Sequence, residues 1–343
     1  MRHINIPIFI PHLGCPNMCV FCNQKTISGV GSFDIDSVRV QIEDALSSVN
    51  PTDECEIAFF GGSFTGIDFS LMVNLLKIAN EYVASGRVKS IRCSTRPDYI
   101  DEKILSVLKK YSVTVIELGL QSVSEKVLLA TCRGHDFQAE KRAVELIKSY
   151  GFKLGGQMMI GLPHSTREDE IKTAEFIVGC GCDMARIYPT VVFRDTELCR
   201  MCRTGEYTPL STEDAVSRSK DAFRILQEGG VQVIRIGLCD SENLHSDKTY
   251  FAGPNHPAIG EMVINEFYLE KITEGIRKFP KTNSDYIKIY VPRAHMSKAV
   301  GQNKRNKIIL AERFSGIRVK FLELDTLAEY KVLLEKDGIE ICI

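Results

Sequence analysis

The chain alternates short apolar runs with amphipathic stretches from residue 4 to about residue 240, and this alternation constrains its fold more than any other feature. Strand–helix alternation is typical of βαβ units around a parallel sheet. Six or seven such units are too few for a closed eight-stranded barrel, so we predict an α/β fold with a partial (β/α)6-type TIM-like barrel. The predicted strands are Ile4–Ile10, Glu56–Gly61, Ser90–Thr95, Thr114–Leu120, Lys153–Ile160, Met184–Val192 and Gln232–Ile236.

Glycine-rich or polar segments follow four of these predicted strands, at residues 61–66, 94–98, 119–122 and 161–164. In barrels of parallel strands, functional groups lie on the loops after the C-terminal strand ends. One such segment could be an ordinary turn, but four on the same rim favour a site at that mouth of the barrel.

Three cysteines follow the first predicted strand in a C-x3-C-x2-C arrangement: Cys15, Cys19 and Cys22. Thiolates are the ligands that iron–sulfur clusters and zinc prefer. A structural zinc site requires four ligands, and His12 could supply the fourth beside the three cysteines. Three cysteines on a [4Fe-4S] cluster would leave one iron open for S-adenosyl-L-methionine (SAM), whose reductive cleavage generates a 5′-deoxyadenosyl radical. Phe21 either shields such a cluster or packs as an ordinary aromatic residue.

This motif and its strand–helix context resemble the radical SAM superfamily. The resemblance implies that Gly61, Gly62 and Ser63 hold the SAM amino group, although Ser63 stands where the superfamily has a glutamate. It also implies a reductant such as flavodoxin or ferredoxin. The further SAM-binding positions that it implies, on the fourth to sixth strands, are Gln121, Ser122, Gln157, Ile187 and Tyr188.

Longer stretches are similar to the catalytic subunit of Elongator and its shorter bacterial relatives, over roughly residues 4–240. They include segments 11–16, 61–65, 117–122, 133–135, 158–163, 186–190 and 204–207. The resemblance implies modification of tRNA. Because the chain ends about 100 residues after the predicted barrel, we do not expect Elongator's acetyltransferase domain.

The C-terminal segment has a βααβ pattern that resembles the core of a KH domain, a module that clamps single-stranded RNA. Residues 286–322 hold nine Lys or Arg and one acid, a net charge of +8, which favours an RNA partner. The predicted RNA-binding residues are Gly301, Lys304, Arg305 and Lys307 in and after the turn between the helices. The alternative is a small appendage that packs on the barrel.

The predicted domains are therefore a barrel at 1–240, a connecting segment with a helix at 241–284 and a KH-like domain at 285–343. Two other functions stay open: a radical SAM enzyme acting on a small molecule, like coproporphyrinogen oxidase, and an RNA-binding protein with a structural or redox-sensing cluster. Four further thiols, Cys180, Cys182, Cys199 and Cys202, could bind a second cluster.

The remaining composition is that of an ordinary soluble protein, with 343 residues and a formal net charge of −1. No apolar run reaches the roughly 18 residues that a membrane span requires. The N-terminus shows no signal-peptide pattern. We therefore expect a cytoplasmic protein that does not contact a membrane.

Overall fold

The computed structural model describes residues 3–10, 15, 19–23, 33–50, 52–238, 246, 248–280 and 285–343. The chain divides into two compact units. The first comprises residues 1–211 and 225–255, and the second comprises residues 212–224 and 256–343. The predicted division at residues 240 and 284 stays a prediction.

The first unit is built on a sheet of seven parallel strands in the order β1-β2-β3-β4-β5-β6-β8. Neighbouring strands follow one another along the chain, which is the arrangement of a curled half-barrel and confirms the predicted partial barrel. The strands are β1 (His3–Phe9), β2 (Glu54–Phe60), β3 (Ser90–Thr95), β4 (Val113–Gln121), β5 (Lys153–Ile160), β6 (Met184–Pro189) and β8 (Gln232–Ile236).

Helices and two short strands connect these elements. Strands β7 (Val192–Phe193) and β9 (Tyr250–Ala252) form a separate antiparallel pair. The helices are α1 (Ser37–Ser47), α2 (Phe69–Ala84), α3 (Glu102–Lys110), α4 (Glu125–Ala130), α5 (Phe137–Ser149), α6 (Arg167–Gly179), α7 (Glu197–Arg203) and α8 (Thr212–Glu228), the last of which extends across both units.

Local sequence explains where the helices begin. Asp101 and Asp136 precede α3 and α5, and each carboxylate accepts a hydrogen bond from a first-turn N–H. Thr166 and Asp169 form a reciprocal capping box at the start of α6. Such caps typically stabilise a helix by about 1 kcal/mol. Because each cap sets the residue at which its helix begins, it also limits the length of the loop before that helix.

The predicted sixth strand, 184–192, is wrong in its length. The observed β6 ends at Pro189, and the chain resumes extended structure in β7, which pairs with β9 instead of the main sheet. Proline lacks the N–H that would continue a strand ladder. The sequence pattern also missed α4 and α7, which are only six and seven residues long.

The second unit has its own sheet, ordered β11-β10-β12-β13, with β10 and β11 parallel. Its first long helix, α9, buries Tyr268, Leu269 and Ile272 in the same core as Ile287 and Ile289 of β10. The predicted βααβ order is present. Its elements are α9 (Ile259–Lys278), β10 (Tyr286–Val291), α10 (Met296–Val300), α11 (Arg305–Arg313), β11 (Arg318–Glu323), β12 (Leu333–Lys336) and β13 (Ile339–Cys342).

Within the described ranges, no helix combines the length and the apolar character that crossing a membrane requires.

Candidate active site

The cysteine segment follows β1 and is fastened to the barrel on both sides. The Val20 N–H donates to the Thr131 carbonyl at 3.2 Å, and the Leu198 N–H donates to the Val20 carbonyl at 2.7 Å. Phe21 packs on an apolar cluster that contains Val192 and Leu198. The segment from residue 19 to residue 22 is therefore held in place by the fold. Residues 11–14 and 16–18, including His12, lie outside the described residues.

Cys15 lies against the loop that follows β2. The backbone N–H of Ser63 donates a hydrogen bond to its sulfur. Burial raises the pKa of the Cys15 thiol, while the Ser63 N–H and the nearby Arg96 partly oppose this by stabilising the thiolate. The first cysteine and the glycine-rich loop thus meet at the rim, as the sequence predicts for a shared site.

The loop after β2 turns through two glycines with positive φ, Gly61 at 97° and Gly62 at 127°. A Cβ atom on Gly61 would come within 3.0 Å of the Ile10 backbone nitrogen, so this glycine allows β1 and the loop to approach closely. The Ser63 hydroxyl hydrogen-bonds to the Thr95 hydroxyl at 2.8 Å. Its side chain therefore braces β2 against β3, and the backbone of residues 61–63 is the part of this loop suited to contact a ligand.

Two buried arginines converge on the sulfur of Cys19. Arg133 Nη1 lies 3.3 Å from it and Arg96 Nη1 lies 3.7 Å from it. Arg96 also binds Asp98 through two hydrogen bonds of 2.9 Å. Each arginine is only 4% exposed. Sequence reasoning assigned no role to either, although Arg96 lies in the polar segment after β3 and Arg133 in a segment similar to Elongator.

Behind these arginines lies a buried histidine between two carboxylates. His135 Nδ1 is 3.4 Å from Asp98, and its Nε2 is 3.3 Å from Glu140. Burial raises the pKa of Glu140 to about 7, although the His135 contact lowers it. Burial lowers the pKa of His135, but hydrogen bonds to Asp98 and Glu140 outweigh that and leave it raised. The histidine thus supports the orientation of Asp98, which in turn orients Arg96.

The other predicted SAM positions are distributed between the rim and the barrel interior. Gln121 ends β4 with a positive φ of 69°, and its side-chain oxygen is buried with no hydrogen-bond partner within the described residues. Ser122 is buried beside it. Gln157 lies inside the barrel, where its amide donates to Ser94 at 3.1 Å and to Glu117 at 3.2 Å.

On β6, Ile187 is fully buried. Tyr188 is half-buried and hydrogen-bonds to its neighbour Arg186. These two residues therefore lie on the same strand as the charged interior network described next.

That network occupies the barrel interior. The Glu117 carboxylate on β4 accepts hydrogen bonds from Nε and Nη2 of Arg186. It also accepts a hydrogen bond of 3.2 Å from Arg92 on β3. Arg92 in turn binds Glu56 on β2. Two arginines and two glutamates therefore balance within a region that is almost fully buried. The predicted pattern of apolar strands did not reveal these charges, because each stands alone among hydrophobic neighbours.

The residues at the rim fit the cofactors that the sequence predicts. Three thiols, the Ser63 N–H and two guanidinium groups make a donor set suited to an anionic cluster. The unpartnered oxygen of Gln121 and the positive-φ turn at residues 61–62 offer contacts for a small polar ligand. No three His, Cys, Asp or Glu side chains among the described residues converge on a single ion. A four-iron cluster does not require this, since its thiolates bind separate irons.

The two additional cysteine pairs are separated by a strand. Cys180 and Cys182 precede β6, whereas Cys199 and Cys202 lie on α7 beyond its end. A strand of this length spans about 20 Å. The four thiols therefore do not form one second cluster, and Cys199 belongs instead to the apolar cluster that packs against Phe21.

The loop between α10 and α11 holds the predicted RNA-binding residues. Gly301 has a φ of 79°, and Lys304 adopts the left-handed conformation with an exposed side chain. Arg305 forms an ion pair of 3.0 Å with Glu266, while Lys307 is exposed. Asn306 fixes the loop by donating to the Ala299 carbonyl at 3.0 Å. All three cations are thus exposed, but Arg305 is paired with Glu266 of α9.

Comparison with known proteins identifies the class of protein to which this site belongs. The model of the radical SAM superfamily matches residues 9–177, and the model of the Radical_SAM C-terminal domain matches residues 182–268. The chain belongs to the radical SAM superfamily. It is accordingly an enzyme that uses a [4Fe-4S] cluster and SAM, and the interpretation as an RNA-binding protein with a structural or redox-sensing cluster is set aside.

Individual relatives point to the Elongator branch. The chain is 37% identical over 248 residues to human Elongator complex protein 3, covering 60% of this chain and 45% of that protein. It is 31% identical over 200 residues to the tRNA uridine(34) acetyltransferase of Methanocaldococcus jannaschii, covering 52% of this chain and 37% of the relative. The chain thus spans less than half the length of these two relatives.

A solved structure shows the same fold. The archaeal Methanocaldococcus infernus Elp3 with an N-terminal deletion aligns with a TM-score of 0.63 at 24% identity, covering 79% of this chain and 63% of that chain. At this identity the similarity establishes the architecture of the barrel.

Proposed function

We propose that Cys15, Cys19 and Cys22 hold the [4Fe-4S] cluster at the rim and that the enzyme modifies RNA, with tRNA as the substrate class. The observation that carries the cysteine assignment is the convergence of the Ser63 N–H and two buried guanidinium groups on Cys15 and Cys19. When bound, a cluster with one open iron supplies the electron that cleaves SAM reductively to a 5′-deoxyadenosyl radical.

The protein's own residues would bind and orient SAM. The backbone of Gly61–Ser63 faces the cysteine segment and can accept hydrogen bonds from the SAM amino group. The unpartnered Gln121 oxygen can accept a hydrogen bond from the ribose hydroxyls, with Ser122 beside it. Gln157, Ile187 and Tyr188 complete this proposed set from β5 and β6, and Phe21 would close the site from the side of α7.

The reaction is tested by mixing SAM with the anaerobically reconstituted protein and dithionite, which stands in for a flavodoxin- or ferredoxin-type donor. We expect about four irons per chain, broad absorbance at roughly 400 nm and slow release of 5′-deoxyadenosine without substrate. Replacing Cys15, Cys19 or Cys22 by alanine should abolish all three signals. Cys93→Ala, a buried cysteine in β3, is the matched control. Full iron content in the three variants would refute the assignment.

The RNA proposal is supported by the names of the relatives and by the second unit. A relative named tRNA uridine(34) acetyltransferase matches 52% of this chain, and the loop at residues 301–304 presents the exposed Lys304 beside the start of α11. The groove next to this loop has a volume of about 510 Å³, and its charged lining residues are two acids, Glu261 and Glu323, and one cation, Lys298. Phosphate contacts are therefore assigned to the outward-facing Lys304 and Lys307.

Filter binding of bulk tRNA at two salt concentrations tests this assignment. Lys304→Glu with Lys307→Glu should weaken binding at least about tenfold and flatten the salt dependence, because two phosphate contacts become repulsive. Arg318→Glu with Lys336→Glu is the matched control. These residues lie at the level of the first residues of β10, at the opposite end of that sheet. Equal affinity of both double variants would contradict the RNA proposal.

A small-molecule substrate is the competing proposal, and the same experiment addresses it. If neither double variant changes tRNA binding, the second unit serves as a packing element and its cations are solvated surface charges. Uncoupled SAM cleavage would be unaffected in that case, since it depends on the rim alone.

A further inference from the structure

Two guanidinium groups share one cysteine sulfur. Arg133 and Arg96 approach the Cys19 sulfur to 3.3 Å and 3.7 Å. Cys19 itself is 8% exposed, so water cannot readily take the place of these donors. Hydrogen bonds to sulfur from charged donors in a water-poor environment are stronger than those in solvent.

Both side chains are fixed independently of the sulfur. The Arg133 guanidinium donates to the Gly119 carbonyl at 2.5 Å. The Arg96 guanidinium donates hydrogen bonds to the Asp98 carboxylate and to the backbone carbonyl of Arg133. The two donors are therefore preorganised, and their orientation does not depend on what occupies the site.

The two arginines differ in their ion-pair partners. Arg96 pairs with Asp98 at 2.9 Å, whereas among the described residues no carboxylate lies within ion-pair distance of Arg133. A buried cation is stabilised by nearby acceptors and anions. Arg133 is therefore well placed to donate to the Cys19 sulfur, the proposed cluster ligand.

We propose that Arg133, supported by Arg96, raises the reduction potential of the cluster by donating to the Cys19 sulfur. Reduction adds one negative charge to the cluster, and hydrogen bonds from a cation stabilise the more negative state more strongly. This inference rests on the proposed function, in which Cys19 is a cluster ligand. Arg133 and Arg96 are positioning residues, because they act on the cluster through its ligand.

A redox titration of the reconstituted protein without SAM, followed by the electron paramagnetic resonance signal of the reduced cluster, tests the proposal. Arg133→Met should keep the iron while making the cluster at least tenfold harder to reduce, which corresponds to about 59 mV for a one-electron couple. Arg133→Lys retains the charge but loses the forked donor. The reduction potential of its cluster should therefore lie between those of the wild-type and Arg133→Met proteins. Arg142→Met, an arginine that is 70% exposed on α5, is the control.

A purely structural role for Arg133 would reduce iron content or thermal stability and leave the potential unchanged. A wild-type potential in an iron-replete Arg133→Met protein therefore overturns the proposal. If that variant does not retain iron, Arg133→Gln is titrated instead, with the same two outcomes. Absence of iron from the wild-type protein would refute the cysteine assignment itself, and this result is read before any variant is compared.

Discussion

Removing the Glu117 carboxylate tests the role of the buried charges in the barrel interior. Glu117 is 1% exposed, and its two oxygens accept hydrogen bonds from Arg186, Arg92 and Gln157. Arg92 would keep Glu56 as a partner after the substitution. Arg186 would lose both hydrogen bonds of its fork and its carboxylate partner, in a position that is 9% exposed.

The expected loss of stability follows from the difference between the two arginines, since Arg92 keeps a carboxylate partner and Arg186 does not. Breaking a buried ion pair by removing one partner costs about 3–5 kcal/mol, because the remaining charge stays buried without compensation. We expect Glu117→Met to lower the free energy of unfolding by that amount. Glu117→Met combined with Arg186→Met should recover most of the loss, because replacing both partners by apolar groups is often close to neutral.

Urea titrations followed by far-ultraviolet circular dichroism measure the effect, since the chain has no tryptophan to report by fluorescence. With a slope of about 3 kcal/mol per molar urea, the midpoint should fall by about 1–1.7 M. Glu43→Met is the matched control. Glu43 holds Arg87 through two hydrogen bonds, but both side chains are 48% exposed. Equal effects of Glu117→Met and Glu43→Met, or a double variant as unstable as Glu117→Met, would refute the reasoning.

Three further outcomes are expected. Gly61→Ala should destabilise the protein by about 1–3 kcal/mol in a urea titration, because its Cβ would meet the β1 backbone in a strained conformation. Gly86→Ala also has positive φ but meets no atom within 4 Å, so its loss should be smaller. Burial raises the pKa of Asp98, but hydrogen bonds from His135 and Arg96 outweigh burial and hold this pKa below its usual range. Asp98 therefore stabilises the folded state above about pH 4, and this contribution is lost as pH falls. Urea titrations between about pH 3 and 6 should show a weaker acid dependence for Asp98→Asn. Cys180→Ser with Cys199→Ser should leave iron content at about four per chain, and a loss of iron would contradict the separation of these thiols by β6.

The sequence predicted the barrel well because its elements repeat a strong local pattern. Strands β3, β5 and β8 have the predicted bounds. The pattern failed where a residue acts against it, as at Pro189, or where an element is too short for periodicity, as in α7. These failures lie in the segment that packs against Phe21.

The candidate site was predictable only in part for a different reason. Motif spacing located Cys15, Cys19 and Cys22, since those residues are close along the chain. Arg96 and Arg133 reach the same sulfur from strands and loops that lie 77 and 114 positions away. A single sequence carries no signal of that convergence, because isolated arginines are common on protein surfaces.

The two buried charge networks of the barrel differ in a way that distinguishes structure from function. In the interior, Arg92 and Arg186 are matched by two glutamates, so that network is complete without any ligand and its role is to link four strands. At the rim, no described carboxylate forms an ion pair with Arg133, although Glu140 lies near enough for the charge of Arg133 to lower its pKa. A buried arginine without an ion-pair partner gains stability from an anion nearby. The cysteine segment lies beside Arg133, and an anionic cluster on its thiolates would supply that anion. The same reasoning predicts that iron-free protein gains stability when Arg133 is replaced by methionine, whereas iron-loaded protein does not. A urea titration of both forms would decide this, and equal stability changes in the two forms would contradict it.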